Sequence, residues 1–168
     1  MKDNIILIGM PGCGKSTIGV LLAKNLAYGF LDSDLVIQEQ SGRKLQDMID
    51  EMGPEAFSAF EDAVNATLIP HNTVIATGGS AVYVTRAMEH FKQIGTVVYL
   101  KASYETIEKR IRNFETRGIV IPEGQTFRDV YNERTALYEK YADITVDVDA
   151  DKADIWDVVE AITAKLKD

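Results

Sequence analysis

Gly9-Met10-Pro11-Gly12-Cys13-Gly14-Lys15-Ser16-Thr17 separates the apolar run Ile5-Ile6-Leu7-Ile8 from a segment carrying Ile18, Leu21, Leu22 and Leu26. The run before it is short and uniformly apolar, the pattern of a strand buried on both faces, and the spacing after it is helical. Strand, glycine-rich loop and helix follow one another in the order a Walker A phosphate loop needs, and Gly-x-x-x-x-Gly-Lys-Ser is complete between them. Successive N–H groups of Gly12, Cys13, Gly14, Lys15, Ser16 and Thr17 are expected to converge on nucleotide phosphates, at the positive end of the helix. Glycines at 12 and 14 let the backbone come that close. Lys15, read as a solvated loop lysine, would bridge the β- and γ-phosphates, and the Ser16 hydroxyl would ligate Mg²⁺. The bland alternative, a glycine-rich turn that only caps a helix, does not require the full pattern in this context.

A chain of 168 residues is read as a single domain, 1–168, long enough to bury a sizeable core. Its 18 basic and 26 acidic residues leave a formal charge of −8, and no basic stripe is present to neutralise a nucleic acid. Cys13 is the sole cysteine, so no internal disulfide forms, and its place in the loop suits a reducing cytosol. It is read as small loop filler, with a redox switch as the alternative. The apolar run after Met1 is too short for a signal peptide, and no segment approaches the ~18 apolar residues of a membrane span. The expectation is a soluble, cytoplasmic monomer.

The second strand, Gly29-Phe30-Leu31, runs into Asp32-Ser33-Asp34. Carboxyl ends of parallel strands line the ligand crevice, so both acids face the same mouth as the phosphate loop. Asp32 is expected to hold a water on Mg²⁺, and Asp34 to accept a proton or hydrogen bond from an acceptor hydroxyl. Alternatively, Ser33 or Asp34 simply caps a helix over residues 35–40. From 45 to 70 the pattern is helical with a break at Gly53-Pro54; Leu45, Met48, Ile49 and Met52 make one face, Phe57, Phe60, Val64 and Leu68 the next. This insertion, about residues 34–70, is read as a segment covering the acceptor. The third strand, Thr73-Val74-Ile75-Ala76-Thr77, ends in Gly78-Gly79-Ser80, where absent side chains let a ligand touch the backbone; a tight turn is the alternative.

A fourth strand over 96–100 precedes a helix capped by Ser103 that carries Arg110. The weakly periodic stretch at about 112–125, with Arg117, Gly118, Pro122 and Gly124, is read as a mobile lid suited to closing over a triphosphate. A helix around 127–141 contains Arg134, an alternating strand over 144–148 is expected at the sheet edge, and an amphipathic helix with Ile155 and Leu166 closes the chain. His71 and His90 fall in polar connections and receive no role. Strands alternating with helices through right-handed crossovers imply a three-layer α/β/α fold with a five-stranded parallel sheet. Switch GTPases are excluded, since there is neither an Asp-x-x-Gly after a strand nor an Asn-Lys-x-Asp.

Taken as an ordered set, the phosphate loop, Asp32-Ser33-Asp34, Ser41-Gly42-Arg43 before Leu45, Phe57 with Glu61, Gly78-Gly79, and Arg134 ahead of Leu137-Tyr138 resemble the shikimate kinase family over nearly the whole chain. The resemblance implies a P-loop kinase fold and MgATP-dependent phosphorylation of the 3-hydroxyl of shikimate, a step of aromatic amino acid biosynthesis. It puts Asp34 on the acceptor hydroxyls, position 58, Gly78 and Gly79 around the acceptor, and Arg134 on its carboxylate. Arg117 would lie in the lid over the phosphates and Arg110 near the adenine. Three departures stand out: Phe57-Ser58 where the family has Phe-Arg, Ser80 in place of a third glycine, and Arg117-Gly118-Ile119-Val120 where the lid reads Arg-Pro-Leu-Leu. The nucleotide half is intact and the acceptor half altered. Two other readings therefore stay open: a kinase of this type for another hydroxylated metabolite such as a sugar or polyol, and a nucleotide-binding regulator without catalysis.

Overall fold

The sheet is ordered by how apolar its strands are. β1 (Asn4–Ile8) is buried along its whole length and lies in the middle, flanked by β3 (Thr73–Ala76) and β4 (Gly95–Lys101), which are nearly as buried. β2 (Gly29–Asp32), half exposed, and β5 (Ile144–Asp147), whose exposure alternates, take the edges, giving the order β2-β3-β1-β4-β5 with every pair parallel. The computed structural model describes residues 2–112, 119, 121–149 and 154–167. Half of the proposed lid at about 112–125, including Arg117 and Gly118, lies outside the described residues.

Helices cover both faces: α1 (Lys15–Leu26), α2 (Ser33–Ser41), α3 (Leu45–Asn65), α4 (Thr85–Ile94), α5 (Tyr104–Arg112), α6 (Phe127–Tyr141) and α7 (Ile155–Lys165). Ser103 caps α5 as expected, its hydroxyl accepting from the Thr106 N–H at 3.3 Å. The main core joins the sheet to α1, α4, α6 and α7, while Ile37, Met48, Phe57 and Val64 form a separate small cluster under α2 and α3. The insertion thus has its own apolar anchor. Within α3, Gly53 adopts φ 79°, ψ 166°, and the helix restarts at Pro54, the break expected from the sequence.

Three expectations are corrected. Residues 85–94, for which no element was read, form α4, and its short stripe of Ala87, Met88 and Phe91 is fully buried. His90 is consequently in a helix, with Nε2 2.5 Å from the Leu68 carbonyl oxygen, and not in a polar connection. On α3 the buried face is Phe57, Glu61 and Val64, whereas Phe60 is only partly buried. The i, i+4, i+7 spacing that follows Pro54 brings Glu61 onto the stripe, which carries a carboxylate inward. Asn4 ties the starts of the strands together: its side chain donates to Pro70 O (2.8 Å) and Ile94 O (3.0 Å) and accepts from Thr73 N (3.1 Å). All the carboxyl ends therefore finish at one edge.

Candidate active site

The phosphate loop leaves β1 with Gly9 pressed against β4. A Cβ there would lie 2.7 Å from the Leu100 carbonyl oxygen and 2.9 Å from Cys13 Sγ, at φ 149°, so only glycine fits. Cys13 is buried and packs under the loop, the filler role read for it, and its N–H is committed to Met10 O at 3.1 Å. Its amide is thus turned into the loop instead of joining a converging set. Gly14, left-handed at φ 104°, caps α1 with no side-chain cap, and the first-turn amides of Lys15, Ser16 and Thr17 lie beyond it at the positive helix end. Lys15 departs from expectation. It is 8% exposed, its Nζ donating to Gly9 O at 2.7 Å and Met10 O at 3.0 Å, because an ammonium turned inward needs acceptors and the loop carbonyls provide them. Arg110, from α5, crosses to the loop and donates to Gly12 O at 3.1 Å.

On the β2 side, Ser16 Oγ donates to Asp32 Oδ2 at 3.0 Å, joining two residues expected at the metal. Asp32 Oδ1 accepts from the Asp34 N–H at 3.0 Å and is the N-cap of α2. Capping is therefore done by Asp32, not by Ser33 or Asp34, since only the residue just before the helix has the extended backbone a cap requires. Asp34 sits in the first turn, beside Gly78. A hydroxyl next to a carboxylate is a hard oxygen pair that suits Mg²⁺, and among the described residues no group of three His, Cys, Asp or Glu gathers into a full cage. Such a partial shell fits an ion completed by phosphate oxygens and water.

The end of β3 builds a second pocket. A Cβ on Gly78 would lie 2.6 Å from Glu61 Oε1 and 2.9 Å from Asp34 Oδ1, so both carboxyl groups close in on this glycine. Ser80 Oγ donates to the other oxygen, Glu61 Oε2, at 2.7 Å. Glu61 is 1% exposed, and burial above all, with Asp34 and Asp62 adding to it, pushes its pKa from the ordinary 4.5 to about 7; Ser80 and Arg134 pull the other way. Gly79 approaches the phosphate loop so closely that a Cβ would meet the Pro11 ring at 2.7 Å, and the same point is 3.2 Å from Arg134 Nη1. Ser58 lies one helical turn before Glu61 and is half-buried.

Arg134 is aimed by its neighbour on α6. The Tyr138 hydroxyl donates to Gly79 O at 2.5 Å and its ring stacks on Tyr99 at 5.2 Å between centroids, fixing α6 against the end of β3. One turn earlier, the Arg134 guanidinium is 4% exposed, with Nε 3.4 Å from the Tyr83 hydroxyl and its carbon 5.3 Å from that ring's centre. None of the ion pairs among the described residues includes it. Lys15, Ser16, Asp32 and Arg110 are thus brought to one side of the crevice, and Asp34, Gly78, Gly79 and Arg134 to the other. Glu61, Tyr83 and Tyr138 belong to the second group without having been assigned there. The signal for Glu61 was available, since a lone carboxylate lies on an otherwise apolar helical stripe.

A glycine-rich loop and helix N-terminus at the end of β1, beside a cluster of carboxylates and a buried guanidinium at the end of β3, put the chain among the P-loop kinases that act on small molecules. The shikimate kinase family model matches residues 11–167. A shikimate kinase of Chlorobium chlorochromatii is 36% identical over 174 residues, covering 97% of this chain and 90% of that one. Among solved structures, shikimate kinase from Acinetobacter baumannii in complex with shikimate superposes with a TM-score of 0.86 at 30% identity, covering 99% of this chain and 93% of its own. The Aquifex aeolicus enzyme gives 0.82 at 28%, covering 98% and 96%. The chain belongs to the shikimate kinase family.

Proposed function

We propose that this enzyme transfers the γ-phosphoryl group of ATP to the 3-hydroxyl of shikimate, as a cytoplasmic monomer. The observation that carries this reading is Arg134: a guanidinium buried to 4% exposure at the end of β3, in no direct ion pair among the described residues, keeps its hydrogen-bonding face available for an anion. The carboxylate of shikimate is such an anion, and its ring then presents hydroxyls toward Asp34 and Gly78. Asp34 accepts the hydroxyl proton as the oxygen attacks phosphorus in line, and ADP departs. Lys15 exchanges its loop carbonyls for the β- and γ-phosphate oxygens, and the first-turn amides of α1 hold the rest. Ser16 and Asp32 would hold Mg²⁺, which supplies charge neutralisation on the transferring phosphate. Arg110 is placed to flank the nucleotide from α5. The insertion at about 34–70 covers the acceptor, and Arg117, outside the described residues, is assigned to a lid over the phosphates.

The test is a coupled assay of ADP release with shikimate and a panel of sugars, polyols and other hydroxylated metabolites. Shikimate is expected to give the highest kcat/KM, and Arg134→Lys to raise its KM by about 10-fold or more, because an ammonium cannot match a carboxylate bidentately. A preferred acceptor without a carboxylate, indifferent to Arg134→Lys, would refute the assignment.

A further inference from the structure

Glu61 stands in a charge environment short of cations. Position 58, one turn before it, is serine and α3 carries neither lysine nor arginine, so no cation from its own helix balances this carboxylate. The groups that face it are Asp34 from α2, Arg134 from α6, Asp62 beside it on α3, and the hydroxyl of Ser80 from the turn after β3. Three carboxylates thus share one cation. An acceptor that places its own carboxylate on Arg134 adds a fourth negative charge to the same buried space.

We propose that Glu61 takes up a proton from solvent when an anionic acceptor binds at Arg134, so that this enzyme binds acceptor and proton together. The inference rests on the kinase reading above and names how its acceptor site is regulated. The geometry assigns the proton to Oε1, the oxygen that faces Gly78 as Asp34 Oδ1 does, because Oε2 is already bonded to Ser80 at 2.7 Å. Protonation there removes one of the negative charges around Arg134 and gives Oε1 a hydrogen to donate on the side where Asp34 lies. Burial supplies the poise: with its pKa raised to about 7, Glu61 gains a proton near neutrality at little cost. Ser80 keeps its partner in either state, donating to the carboxylate or accepting from the acid.

The experiment is calorimetric titration of shikimate into the wild-type protein at pH 8, in PIPES and in Tris, buffers of different ionisation enthalpy. Shikimate's own carboxylate titrates near the ordinary carboxylate range of about 4 and arginine above about 12, so neither changes protonation there. The expected result is uptake of roughly half to one proton per acceptor bound, with Kd rising correspondingly by about three- to tenfold per pH unit above neutrality. Glu61→Gln should bind with no proton uptake and a Kd independent of pH from 6.5 to 8.5. Equal heats in the two buffers together with a flat wild-type Kd would overturn the inference while leaving shikimate phosphorylation intact. A Gln variant that retains the wild-type pH slope would also overturn it. No shikimate binding or turnover at any pH would overturn the kinase reading and the inference with it.

Discussion

Ser58→Arg is the substitution that most directly weighs the altered acceptor pocket. Ser58 is half-buried one turn before Glu61, so an arginine there lies on the side of α3 that carries the carboxylate. A second guanidinium on the acceptor carboxylate is a charged hydrogen bond worth roughly 1.5–3 kcal/mol, about one to two decades in affinity. The same cation lowers the Glu61 pKa from about 7, so this carboxylate stays ionised beside a partner. Part of the gain is offset by desolvating the new cation and ordering its long side chain. The net expectation is a gain of about 10-fold in kcat/KM for shikimate, carried mostly by KM, since the contact exists in the ground state as well as the transition state. The pH dependence of KM above neutrality should flatten, because an ionised and paired Glu61 no longer needs a proton. The assay is coupled ADP release, with KM and kcat resolved between pH 6.5 and 8.5. A wild type that already saturates with micromolar shikimate and is unimproved by the arginine would refute this reasoning; a fall in activity on a different, preferred acceptor would show that the pocket excludes the guanidinium.

Further outcomes follow from the loop and from the glycines. Lys15→Met should lower kcat by about 10²–10³-fold, as expected for removing a preorganised cation from developing phosphate charge, with a helical circular dichroism spectrum like wild type; unchanged turnover would remove the kinase reading. Gly78→Ala would place a methyl carbon 2.6 Å from Glu61 Oε1 and 2.9 Å from Asp34 Oδ1, forcing the carboxyl pair apart. An overpacking cost of roughly 1–3 kcal/mol predicts a KM for shikimate raised by about 10- to 100-fold with the KM for ATP little changed, and an unaltered shikimate KM would count against the assigned pocket.

Much of this protein is written in short stretches of chain. The phosphate loop is nine consecutive residues, so its strand, turn and helix are all legible from local periodicity and glycine placement. The five strands, the break at Gly53-Pro54 and the membership of Ser16 and Asp32 in one site could be read the same way, because each follows from neighbours in sequence or from the rule that parallel strands end at a common edge. α4 was legible too, since Ala87, Met88, Phe91 and Ile94 recur at i, i+1, i+4 and i+7 across ten residues, and packing against α3 holds it there, with the Asp62 carboxylate accepting from the Ala87 N–H at 2.8 Å. The acceptor pocket could not be assembled in this way. Its parts come from positions 34, 58, 61, 78–80, 83, 134 and 138, and only tertiary packing brings Glu61 against Asp34 and Ser80, or lets Tyr138 hold α6 so that Arg134 is buried beside Gly79. Burial then decides the chemistry. The sequence names Glu61 as a carboxylate and Lys15 as a cation, but whether a proton stays on the one, and which oxygens the other faces, depends on the water and the partners that the folded chain leaves around them.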